Sequence, residues 1–133
     1  MSLCRIMTMT FRLLGLVLFS VLMAGCQSTI TNLTPTKQSR NSTGLYPVEV
    51  AWTTRQQTVR PQTLQPYVMV EFESYPMRRT LGMTNRWETV IPVPPGKNSV
   101  GYYFRFNYEY NRFGAPGQDS KLSRGYRLDI LDK

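Results

Sequence analysis

The run YYFRFNYEY, residues 102–110, decides the fold. Tyr102, Phe104, Phe106, Tyr108 and Tyr110 fall on one face, and Tyr103, Arg105, Asn107 and Glu109 on the other. This period-2 alternation is that of a half-buried β-strand, because successive side chains of an extended chain point to opposite sides. The same pattern governs LYPVEVAW, residues 45–52, where Tyr46, Val48, Val50 and Trp52 share a face and Pro47, Glu49 and Ala51 its opposite.

Shorter alternating runs predict strands over 67–72, 75–79, 86–93 and 125–131, with Trp87, Thr89, Ile91 and Val93 on one face of the third and Tyr126, Leu128 and Ile130 on one face of the last. Ile30 to Leu33 reads as a first strand ended by Pro35; otherwise 27–44 is a tether. Turn signals separate these runs at 41–44, Pro61, Ser74, 81–85, 94–98 and 114–120. No stretch of the mature chain shows an amphipathic helical period. Six or seven short strands at this spacing predict an all-β fold, an antiparallel β-sandwich. Trp52 and Trp87 lie on the apolar faces of their strands and are assigned to its core.

RWETVIPVPPGKNSVGYYFRFNYEY, residues 86–110, resembles the immunoglobulin-like modules of the early-set type, some of which bind glycogen. The shared feature is a Trp-bearing strand that leads through a Pro-Gly turn to a long aromatic strand. The resemblance implies an immunoglobulin-like β-sandwich of about seven strands over 30–133 and a non-catalytic module. It transfers no sugar-binding residue.

The N-terminus carries a different message. Arg5 and Arg12 sit in a leader without acids, and Leu13 to Met23 is an apolar run, the order of an export signal. A permanent span needs about 20 apolar residues, and this run is roughly half that. Small residues at Ala24 and Gly25 suit cleavage. With Cys26 following, VLMAGCQS, residues 21–28, resembles the lipobox of bacterial lipoproteins, Met23 standing where Leu is usual. The resemblance implies a signal peptide over 1–25, diacylglycerol and an N-acyl chain on Cys26, a short tether over 26–29, and, from Gln27, sorting to the outer membrane. Two or three acyl chains hold a protein durably where one does not. Met7 and Met9 are alternative starts.

Loss of the leader removes two arginines and no acids, taking the net charge from +8 to +6. It also removes Cys4, so the mature chain cannot form an internal disulfide. The basic residues are scattered, with Arg78 and Arg79 adjacent, so no nucleic-acid arm is expected. Histidine is absent, which excludes the commonest general base and most zinc sites. A carboxylate pair could hydrolyse glycosides, and Glu71 and Glu73, two apart on a strand, would point to the same side, but a solvated face is the preferred reading of them. Asp119 beside Ser120 is assigned to a turn, capping its own backbone rather than holding calcium. No enzymatic activity and no cofactor beyond the covalent lipid are expected.

Contact residues are sought among exposed Tyr, Arg and Met. The candidates are Tyr75, Met77, Arg78, Arg79, Tyr103 and Arg105, with Asp119 in the irregular loop GAPGQDSK, residues 114–121. The expected role is a membrane-anchored interaction module in the cell envelope with a protein partner, the alternative being a glycan. A protein partner predicts an apolar patch on one sheet face or edge; a glycan predicts two coplanar exposed aromatics.

Overall fold

The computed structural model describes residues 28–133. They form ten strands: β1 (Ser28–Asn32), β2 (Lys37–Ser39), β3 (Leu45–Thr54), β4 (Gln65–Val70), β5 (Glu73–Pro76), β6 (Arg78–Arg79), β7 (Arg86–Pro92), β8 (Ser99–Tyr110), β9 (Gly117–Leu122) and β10 (Tyr126–Leu131). One sheet has the order β1-β3-β7-β6; the other runs β2-β10-β8-β4-β5, with β9 also paired to β8. These are the places of strands A, B, E and D, and of A′, G, F, C and C′, in an immunoglobulin-like sandwich. All pairings are antiparallel except β2 with β10, which is parallel.

The long aromatic strand is the axis of the second sheet, as its alternation predicts. Phe104 and Phe106 have no exposed surface, and Tyr102 and Tyr108 are nearly as buried. From the facing sheet, Trp52 and Trp87 close on Phe106 with ring centres 5.2 and 5.4 Å away. Tyr46, Val48 and Val50 of β3 complete the packing with Ile91 of β7, Val68 of β4 and Leu128 of β10.

Four local predictions are corrected. The run 67–72 stops at Val70, and the turn falls at Glu71 and Phe72 rather than at Ser74, which belongs to β5. The run 75–79 is two strands: the chain leaves the second sheet after Pro76 and enters the first at Arg78, with Met77 buried between them. Residues 117–121, read as part of a loop, belong to β9, which runs on to Leu122. Together β9 and β10 line one flank of β8, and Ser123 to Gly125 between them face Tyr103 and Phe104, an extra residue of the kind found in a β-bulge. Ser123 stitches this junction, its N–H donating to the Phe104 carbonyl (2.9 Å) and its hydroxyl accepting the Phe104 N–H (2.8 Å). Finally, β2 has no alternating pattern to announce it; pairing with the end of β10 creates it.

The first strand exists and already includes Ser28, the first described residue, two before the expected start, in register with Thr54. It ends when the chain crosses between the sheets at Thr34, a buried polar residue. The Thr34 hydroxyl donates to the Glu49 carbonyl (3.1 Å) and accepts the Glu49 N–H (2.9 Å). Thr34→Val keeps the shape and leaves that N–H without a partner, which is expected to cost about 1–3 kcal/mol in urea unfolding, with Thr34→Ser near wild type.

Candidate interaction surface

The seven contact candidates do not share a surface. Arg78 and Arg79 form the short edge strand β6; Arg78 pairs with Glu88 at 3.2 Å, and the Arg79 guanidinium lies 5.4 Å from the Trp87 ring centre. Tyr103 and Arg105 are on the outer face of the other sheet, where Arg105 lies 5.3 Å from the Tyr67 ring centre. Met77 is a core residue at the sheet crossing, so its assignment as an exposed contact is wrong: continued alternation cannot foresee a change of sheet. Tyr75, expected to be exposed, is partly buried against the core.

Asp119 lies on β9 opposite Tyr108 rather than in a turn. One carboxylate oxygen accepts the Ser120 N–H (2.8 Å), as expected, and the other accepts the Tyr108 hydroxyl (3.2 Å). Burial, and then the Asp119 charge, raise the Tyr108 hydroxyl above its ordinary pKa of 10.0, because both disfavour phenolate. A folded-state pKa above the unfolded one means stability that is complete below the unfolded value and lost as pH rises through the folded one. Tyr108→Phe is therefore expected to flatten the fall in the urea midpoint that the wild type shows as pH climbs past about 10.

The apolar surface lies on residues the sequence reading passed over. On the outer face of the first sheet, Leu45 stands opposite Pro92 and Pro47 opposite Val90. All four are exposed, Leu45 by 43% and Val90 by 46%. Pro47 and Val90 also line a groove of about 790 Å³ with Leu33 and Pro35, where Gln38, Glu49, Arg78 and Glu88 supply polar groups. Pro47 fits inside a strand because its carbonyl accepts Gln38 Nε2 (2.8 Å) on the flank that β1 has already left. N–H and C=O of one strand residue point to the same side, so the missing donor is missing where no ladder needs it. The available signal was that Leu45, Pro47, Val90 and Pro92 all occupy outward positions of their strands, places normally given to polar residues.

Every ring pair within stacking range includes a buried ring: Trp52, Trp87, Tyr102 or Phe104. Glu71 is in a turn at φ +54°, ion-paired to Lys97, so the expected placement of Glu71 and Glu73 two apart on one strand is not what forms. No group of three or more His, Cys, Asp or Glu able to hold a metal ion occurs among the described residues. No helix among them is long and apolar enough to cross a membrane. Cys26, with the leader and the alternative starts, lies outside the described residues.

No protein-family model matches the chain, and no curated protein matches it. Among solved structures it is similar to murine CRIg, at 8% identity and a TM-score of 0.42 over 80% of this chain and 98% of the other. It is also similar to AggA, the major subunit of aggregative adherence fimbriae type I from Escherichia coli, at 11% identity and a TM-score of 0.44 over 80% and 96%.

Proposed function

We propose that the chain is a lipoprotein, acylated at Cys26 and held at the outer membrane, whose immunoglobulin-like sandwich is a non-enzymatic protein-interaction module of the cell envelope. The observation that carries the reading is the patch of Leu45, Pro47, Val90 and Pro92, apolar and joined to a groove that supplies polar groups, which is how protein contacts are built. The lipobox-like VLMAGCQS supports the anchor. The pairing of Ser28, two residues after Cys26, with Thr54 of β3 supports a domain seated close to it.

The test places a photoreactive amino acid at Val90 in living cells, with Gln118 on the other sheet as control. A specific adduct from position 90 and none from 118 is the expected result; no adduct from 90 overturns the patch as a partner site. Fractionation of wild type beside Cys26→Ser tests the anchor separately, the variant being expected to leave the outer-membrane fraction.

A further inference from the structure

The strand directions bring an unusual set of loops to one end of the sandwich. Ser28 pairs with Thr54, the last residue of β3, so the chain enters the fold at the end from which β3 leaves. Three loops emerge there: 55–64 between β3 and β4, 80–85 between β6 and β7, and 111–116 between β8 and β9. Their attachment is fixed by backbone bonds, with Trp52 N–H on the Asn85 carbonyl (3.0 Å) and Asn111 N–H on the Thr58 carbonyl (2.7 Å).

Two of these loops lift apolar side chains into solvent. Phe113 is fully exposed and Leu81 is 98% exposed, with Met83 partly so. Arg112 is exposed next to Phe113, Arg55 is exposed at the start of the 55–64 loop, and none of the three loops contains Asp or Glu. At the opposite end, where charges of both signs occur, the fully exposed Phe72 is flanked by Glu71 and Glu73, and Glu71 is paired with Lys97.

We propose that this end is the membrane-facing end of the domain, with Leu81 and Phe113 entering the bilayer interface and Arg55 and Arg112 meeting its anionic head groups. The inference rests on the reading that Cys26 is acylated. Cys26 is two residues before Ser28, and an extended chain spans at most about 3.6 Å per residue, so the acyl chains leave the protein within roughly 7 Å of Ser28. An anchor that short brings the three loop tips to the lipid surface. Apolar tips with neighbouring arginines and no acids match an interface that takes apolar side chains below anionic phosphates.

The seating also sets where a partner is met. Leu45 is nine residues along β3 from Thr54, so at about 3.3 Å per residue the apolar patch is held some 20–30 Å from the bilayer. The partner would be engaged beside the standing sandwich rather than in the membrane.

The test uses acylated protein in vesicles of phosphatidylethanolamine and phosphatidylglycerol. Nitroxide labels on Leu81→Cys, Phe113→Cys and Phe72→Cys are probed for collision with oxygen and with a water-soluble nickel chelate, and intact mass reports acylation. Labels at 81 and 113 shielded from the chelate, with 72 open to it, are the expected result. Acylated protein with all three labels open to the chelate overturns the seating and leaves the anchor standing. Where mass shows Cys26 unmodified, the anchor fails, and the same labels on the Cys26→Ser chain decide the seating alone: shielding at 81 and 113 supports it, and exposure at both overturns it.

Discussion

Phe106→Ala is expected to cost about 3–5 kcal/mol, the range for deleting a fully buried phenylalanine. Phe106 has no exposed surface and belongs to β8, yet its ring meets Trp52 and Trp87 from the facing sheet at 5.2 and 5.4 Å. Removing it leaves a cavity where the two layers join and takes away an aromatic contact from each tryptophan, Trp52 keeping the one to Tyr108. Domains are stable by only about 5–15 kcal/mol, so the variant should show a much lower urea midpoint or fail to accumulate. Phe106→Leu, which keeps most of the volume, should lose less. A measured cost for Phe106→Ala below about 1 kcal/mol would mean the sheets are held together elsewhere.

The second large effect is on binding. Val90→Arg is expected to change stability by no more than about 0.5 kcal/mol, because Val90 is half exposed and points away from the core. Its effect on a partner should be far larger, since a long charged side chain at the centre of an apolar contact must be desolvated and displaces the surface that packs there. Loss of a central contact costs about 2 kcal/mol or more, roughly thirtyfold in affinity. Recovery of the partner captured from position 90 gives the measurement, with Gln118→Arg as control. Equal recovery by both variants would remove the patch from the interface.

Legibility in the sequence followed the length of each pattern. Strands β3, β7 and β8 carry alternation long enough to give both element type and buried face, and the faces assigned to Tyr46, Trp52, Trp87, Phe104 and Phe106 are those found inside. Met77 failed because the same alternation persists while the chain changes sheet beneath it. Gly117 to Lys121 failed because Gly, Gln, Asp and Ser carry no apolar signal; β9 forms through its ladder with β8, not through its own propensity. The patch was missed because attention to Tyr, Arg and Met passed over prolines and valines at outward positions.

What the residues determined without help from the fold was the all-β class, the buried faces of the long strands and the absence of histidine chemistry from these residues. Each depends on local order or on composition alone. What tertiary structure decided was which outward-facing residues become neighbours. Leu45 meets Pro92 and Pro47 meets Val90 through the register of two strands about 40 residues apart. Ser28, Leu81 and Phe113 reach one end of the sandwich through the directions of four strands. Alternation tells a residue which face it occupies, but only the pairing of distant strands tells it what stands beside it.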